Sequence, residues 1–142
     1  MTIRPGVEAF LIEVVLDPTG GAAAFSYKRD DDRLWVSRLS PTGTWLPSEQ
    51  VPGAKGLPSA MAFLANGDLL VVWVDGPNVL AARRHGSSWS PPDTLQDGRS
   101  DPQGVIGLVA LAVNDRGDAL AAWTRFLEHL RPTLWTSRLR AP

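Results

Sequence analysis

Residues 64–73 read LANGDLLVVW, and residues 114–123 read NDRGDALAAW. Each stretch runs from a turn containing Asn, Gly and Asp into an apolar segment that ends on tryptophan. Asn, Asp and Gly supply the positive φ angles of tight hairpin turns, and a short apolar run after such a turn indicates a β-strand. Because the phrase occurs twice, we expect a repeated β-unit.

The repeat has a third, weaker copy near the start of the chain. Aligning Gly21, Gly67 and Gly117 gives spacings of 46 and 50 residues and places Tyr27, Trp73 and Trp123 at equivalent positions. The first two strands of each unit are nearly continuous apolar runs, which indicates burial on both faces. The third strand alternates, as in LWVSRL (34–39) and LWTSRL (134–139), and is typical of a half-exposed strand.

An antiparallel unit of about four strands that recurs every ~45 residues predicts a β-propeller. The alternative is a β-sandwich of about eleven strands, but a sandwich has no reason to repeat its sequence at a fixed period. We therefore predict an all-β, antiparallel β-propeller of three four-stranded blades, the last one incomplete. The whole chain, 1–142, is then a single partial propeller with blades at about 7–51, 58–96 and 105–140, and residues 1–6 form a possible closing strand.

Three blades are too few for a closed ring, since propellers typically have 4–8. We expect completion by oligomerisation, with a homodimer closing a six-bladed ring of two-fold symmetry. The chain could instead be a fragment of a longer propeller, or pair with a different subunit.

The composition excludes several classes of partner and site. The formal charge is −1, from 14 basic and 15 acidic residues, so we expect no nucleic-acid or membrane partner. The N-terminus does not resemble a signal peptide and no apolar run reaches ~18 residues, so we expect a soluble chain of undetermined compartment. With no Cys and two His, His85 and His129, we expect no metal site and no cofactor.

The second unit carries a family resemblance. The segments PSAMAFLANGDLLVVW (58–73) and AARRHGSSWSPP (81–92) resemble the blades of sialidase-like β-propellers and of related bacterial propeller lectins. The turn SPTGTW (40–45) is similar to the Asp-box of those blades but has Thr42 where Asp belongs. The resemblance implies a propeller fold, and it leaves the function open because such blades serve many tasks.

The resemblance also defines what an enzyme of this kind would need. A sialidase uses an arginine triad, a Tyr nucleophile with a Glu partner, and an Asp acid/base. The only Tyr here is Tyr27, at a position where the other units have a core tryptophan, and the glutamates show no diagnostic spacing. The acidic segment RDDDR (29–33) is best interpreted as a solvated hairpin turn. We therefore assign no catalytic residue, and an enzyme is the less favoured interpretation.

Binding residues are better supported than catalytic ones. Arginine recurs at one position of the third strand, and its planar fork suits carboxylates and phosphates. Tryptophan on the same strand offers a flat apolar platform for a sugar. The candidate ligand-binding residues are Trp35, Trp135, Arg38, Arg83 and Arg138. The sequence predicts a non-catalytic recognition module with a possible glycan ligand; the alternatives are a glycoside hydrolase or sialidase-like enzyme fragment and a protein–protein interaction scaffold.

Overall fold

The computed structural model describes residues 9–28, 33–55, 58–96, 105–126 and 131–140, and this part of the chain is all-β. Each strand begins or ends close to a Gly, Pro, Asn or Asp turn, as the sequence predicts. The strands are β1 Ala9–Leu16, β2 Ala22–Lys28, β3 Arg33–Leu39, β4 Glu49–Lys55, β5 Pro58–Phe63, β6 Leu69–Asp75, β7 Asn78–His85, β8 Ser88–Trp89, β9 Asp93–Gln96, β10 Val105–Val113, β11 Ala119–Phe126 and β12 Thr133–Leu139.

The strands form three antiparallel sheets in sequence order. Sheet A has the order β1-β2-β3-β4, and sheet C has the order β10-β11-β12. Sheet B, between them in the sequence, has the order β5-β6-β7, with the short strands β8 and β9 both paired to β7. The all-β antiparallel fold is therefore confirmed, whereas a closed ring and the number of blades stay predictions.

The fourth strands of sheets A and B are irregular. In sheet A, Trp45 forms a single bridge to Leu39, and β4 starts four residues later. In sheet B the fourth strand is split into β8 and β9, and Pro91 and Pro92 lie between them. Proline has no N–H to donate, so it interrupts a β-ladder at these edge positions.

The structure also corrects the alignment of the first turn by one residue. Gly20, with φ +97°, adopts the conformation of Gly67 and Gly117, and each of these three glycines donates its N–H to the carbonyl three residues earlier. Gly21 is thus the equivalent of an aspartate, Asp68 in the second unit. The equivalence of Tyr27 with Trp73 and Trp123 was wrong: Ser26 occupies that position and pairs with Trp35, just as Trp123 pairs with Trp135.

Sheet B lies between the other two and contributes to two apolar cores. One face of sheet B packs on sheet A in a core that includes Leu34, Val36, Met61, Phe63, Val71 and Trp73. The opposite face packs on sheet C in a core that includes Leu64, Leu70, Val72, Val79, Ala121 and Trp123. Strand β5 lies beside both β1 and β10, so the first strands of the three sheets are neighbours.

Burial on both faces holds for sheet B but not for sheet C. Residues Leu69–Trp73 of β6 are all buried, because both faces of that strand are covered. In β11 buried and less buried residues alternate, and in β10 the side chain of Leu108 is 85% exposed. The prediction of two buried faces was wrong for these two strands, since only one face of sheet C contacts another sheet among the described residues. It was also wrong for β1 of sheet A, where Val14 and Leu16 are exposed.

Several predicted features lie outside the described residues. These are the possible closing strand 1–6, most of the acidic turn (29–32) and His129; for Tyr27 the backbone is described but not the side chain. The three sheets span 9–55, 58–96 and 105–139, and the division into blades at 7–51, 58–96 and 105–140 stays a prediction.

Candidate functional site

A glutamate on the first residue of β4 connects sheets A and B. Glu49 Oε2 accepts hydrogen bonds from Arg84 Nε at 2.7 Å and from Trp89 Nε1 at 3.1 Å, both on sheet B. Its other oxygen, Oε1, lies 3.3 Å from Nη2 of Arg38, which is on sheet A. The alternation of β3 and β7 directs Arg38 and Arg84 toward each other's sheet, so one carboxylate is shared by two guanidinium groups.

The surroundings of Glu49 change its acidity. Burial alone raises the pKa of this carboxyl group. The hydrogen bond and positive charge of Arg84, together with the Trp89 N–H and the charge of Arg38, outweigh burial and hold the pKa below its ordinary value. Glu49 is therefore a stable anion that holds the two sheets together, and its low pKa does not suit a general acid at neutral pH.

A groove of about 360 Å³ opens beside this cluster, and we call it the A–B groove. Its wall includes an aspartate–histidine pair: His85 Nδ1 lies 2.7 Å from Asp68 Oδ1. The side chain of Asp68 is buried and that of His85 is 83% exposed. Such a pair holds the imidazole in one orientation, which is the arrangement required of a general base. The lining residues are Arg38, Phe63, Asn66, Gly67, Asp68, Leu69, Arg84, His85 and Gly86.

A second groove, of about 410 Å³, lies between sheets B and C, and we call it the B–C groove. Its wall contains three arginines, Arg83, Arg138 and Arg140, and one carboxylate, Asp93. Arg83 Nη2 lies 3.4 Å from the backbone oxygen of Arg140, and Arg138 Nη2 lies 2.8 Å from Asp118 Oδ2. The other lining residues are Leu70, Ala81, Ala82, Ser90, Leu95, Ser137 and Leu139.

The two candidate tryptophans lie away from the lining of both grooves. Trp135 is 45% exposed, donates its indole N–H to Thr133 Oγ1 at 2.9 Å, and has the guanidinium carbon of Arg125 at 5.9 Å from its ring centre. Trp35 is half-buried, and its indole N–H has no hydrogen-bond acceptor among the described residues. This cation–π contact places the guanidinium of Arg125 over one face of the Trp135 ring.

Of the five candidates, Arg83 and Arg138 are among the lining residues of the B–C groove and Arg38 is among those of the A–B groove. Arg138 is opposite Leu120, so its side chain lies on the face of sheet C that points away from Arg83. The residues that the sequence analysis missed are Asp68 and His85. The strand register predicts that pair. Leu69 pairs with Arg84, so Asp68, which precedes Leu69, lies opposite His85, which follows Arg84. The motif NGD (66–68) contains Asp68 alone, so predicting the pair also requires the register of β6 with β7.

The described residues contain no cluster of three or more His, Cys, Asp or Glu side chains that could hold a metal ion. Across the same residues, we find no helix with the length and apolarity that crossing a lipid bilayer requires.

Comparison with known proteins supports the fold. No family model and no curated protein matches the sequence. Among solved structures, the chain is similar to a luciferin-regenerating enzyme, with a TM-score of 0.58 and 11% sequence identity. That protein has a β-propeller-like fold, and the similarity covers 100% of this chain and 50% of that one. The chain therefore spans half the length of this structural relative, and at this identity the likeness shows the fold alone.

Proposed function

We propose that this chain is a non-catalytic recognition module that binds an acidic carbohydrate in the B–C groove. The observation that carries the proposal is the composition of the groove's lining, which contains Arg83 and Arg140 with a single carboxylate, Asp93. An excess of positive charge in a groove attracts an anionic ligand and holds it by charge-assisted hydrogen bonds.

The rest of the groove suits the neutral part of such a ligand. Ser137 offers a hydroxyl group that can donate and accept hydrogen bonds, as sugar hydroxyls require. Leu95 and Leu139 supply an apolar floor against which the C–H faces of a sugar ring can pack. A volume of about 410 Å³ is within the size range of small-ligand sites.

The role of each arginine follows from its present contacts. The guanidinium group of Arg83 donates to the backbone oxygen of Arg140 at 3.4 Å, so a ligand carboxylate replaces a weak bond there. Arg138 is opposite Leu120 on the face of sheet C that points away from sheet B, and it already binds Asp118, so we assign it no contact with the ligand. Trp35 and Trp135 stay predicted ligand-binding residues, but neither is among the lining residues of this groove.

Binding of glycans by the purified chain tests the proposal. We expect acidic glycans to bind and neutral ones of the same length to bind at least tenfold more weakly. Arg83→Lys keeps the charge but loses the planar fork, so we expect it to weaken binding about tenfold. Arg116→Lys, a matched change on the exposed β10–β11 turn, is the control and leaves binding unchanged. Equal binding of neutral and acidic glycans, or no binding of either, would refute the proposal.

One observation favours the second candidate function, an enzyme of the glycoside hydrolase class. The Asp68–His85 pair in the A–B groove has the geometry of an oriented base, with the imidazole accessible to solvent. Turnover of an acidic glycoside that is lost in His85→Ala and kept in Arg83→Lys would establish an enzyme at the A–B groove in place of the recognition module. Absence of glycan binding together with a stable complex with another protein would support the scaffold instead.

A further inference from the structure

The two ends of the three-sheet stack expose apolar side chains. We call the face of sheet C that points away from sheet B the C face; it carries Leu108, Leu120 and Leu134, which are 85%, 47% and 73% exposed. We call the face of sheet A that points away from sheet B the A face; it carries Val14 and Leu16, which are 54% and 79% exposed. Clusters of large exposed apolar side chains indicate an interaction surface.

Equivalent residues in the three sheets indicate what kind of surface packs on the C face. Leu34, Val79 and Leu134 occupy the same position on the third strand of their sheets, one residue before Trp35, Leu80 and Trp135. Leu34 and Val79 are 1% and 0% exposed because each lies under the next sheet of the stack, whereas Leu134 is 73% exposed. The C face is therefore the counterpart of the face that sheet A turns to B and that sheet B turns to C.

The same comparison applies to the A face. Leu16 and Phe63 are each the last residue of a first strand, four residues before the equivalent glycines Gly20 and Gly67. Phe63 is 7% exposed because it packs in the core between sheets A and B, while Leu16 is 79% exposed. The A face is thus the counterpart of the face that sheet B turns to sheet A.

We propose that the C face of one chain packs on the A face of a second copy of this chain. The two faces are the two sides of one type of contact, which the chain already makes between sheets A and B and again between B and C. Two copies then make two identical contacts and close a ring with two-fold symmetry, which removes the exposed faces. The alignment of the whole chain with half of a β-propeller-like protein supports a ring of two copies.

A second copy is a better occupant than an unrelated protein because one sequence supplies both sides of the contact. This is a head-to-tail contact, so it differs from a symmetric pairing of two C faces or two A faces. The proposal goes beyond the recognition function: the B–C groove lies within one chain, and a monomer that still binds a glycan would overturn the dimer and leave the proposed function intact.

The solution mass of the 142-residue chain tests the proposal. At about 10 μM we expect twice the chain mass of 15.4 kDa. Leu134→Lys and Leu16→Lys each place a charge in the contact, and each should weaken dimerisation about a hundredfold. Ala65→Lys, an apolar-to-charged change at an exposed position of the β5–β6 turn and outside both faces, should leave the dimer unchanged. Circular dichroism checks that every variant keeps its β-structure.

Mixing two variants separates a lost contact from a lost fold. Leu134→Lys and Leu16→Glu chains, each monomeric alone, should form a mixed dimer, because one of its contacts is unaltered and the other places Lys opposite Glu. A monomeric native chain, masses that grow without limit as concentration rises, or a dimer weakened by only one of the two lysine variants would each overturn the head-to-tail ring.

Discussion

Replacing Glu49 by Gln tests whether one carboxylate couples sheets A and B. Arg84 is 7% exposed and donates to Glu49 at 2.7 Å, and a hydrogen bond from a charged group at such a site contributes ~1.5–3 kcal/mol. The more exposed ion pair with Arg38 adds ~0.5 kcal/mol. Gln keeps one acceptor oxygen and recovers ~1 kcal/mol of this. We therefore expect Glu49→Gln to lower the free energy of unfolding by about 2 kcal/mol at pH 7, which lowers Tm by ~4–8 °C.

The effect of Glu49→Gln on the free energy of unfolding should depend on pH. The pKa of Glu49 is lower in the folded chain than its ordinary value of 4.5, so its stabilising effect is complete above pH 4.5 and is lost as the pH falls through the folded value. Gln cannot titrate, and it resembles the protonated glutamic acid. The difference in unfolding free energy between the native chain and Glu49→Gln should therefore shrink as the pH falls from 7 to 3.

The assay is urea unfolding followed by tryptophan fluorescence, at one protein concentration and several pH values. Asp115→Asn removes the same charge from an exposed turn and is the control; its effect should stay within ~0.5 kcal/mol. A Glu49→Gln effect no larger than this control, or one of the same size at pH 7 and pH 3, would refute the coupling of the sheets through this carboxylate.

The remaining predictions concern the core and the turns, each measured by urea unfolding. Trp73 is fully buried with no acceptor for its N–H among the described residues, so Trp73→Ala should cost about 4 kcal/mol and Trp73→Phe at most ~1; equal costs would contradict this. Gly20→Ala should cost ~1 kcal/mol because of its positive φ alone. Gly21→Ala should cost more, ~2–3 kcal/mol, because its Cβ would lie 2.7 Å from a carbonyl oxygen of β3. A larger cost at Gly20 than at Gly21 would instead support the alignment of Gly21 with Gly67 and Gly117. Gln96→Leu leaves the buried Trp123 N–H without its acceptor and should cost ~1–3 kcal/mol, and combining it with Trp123→Phe should be less costly than the two single effects summed.

Local patterns were enough to predict the strands and hairpins. The turns before Leu69 and Ala119 and the apolar runs after them determine β-strands by backbone preference and burial, both of which act over a few residues. The burial of Trp73 and Trp123 was also correctly predicted from the same pattern. The one-residue error at Gly21 arose because two adjacent glycines satisfy the same pattern, and only the φ angle of Gly20 distinguishes them.

The candidate site could be predicted only in part. The recurring arginine was visible in the sequence, but the partners of its three copies differ: Glu49 for Arg38, a backbone oxygen for Arg83 and Asp118 for Arg138. These partners lie 11 to 57 residues away in the chain, so no local spacing could identify them. The pair Asp68 and His85 was missed for the same reason.

The sequence by itself determined that the chain repeats a β-unit, where its hairpins turn and which strands are most apolar, because these properties depend on neighbouring residues. The tertiary structure decided which faces are covered. Leu34 and Leu134 stand in nearly the same local sequence, LWVSRL and LWTSRL, yet one is buried and the other is 73% exposed. The physical reason is that burial depends on the sheet stacked against a residue, and sheet C, unlike sheet A, has no following sheet among the described residues.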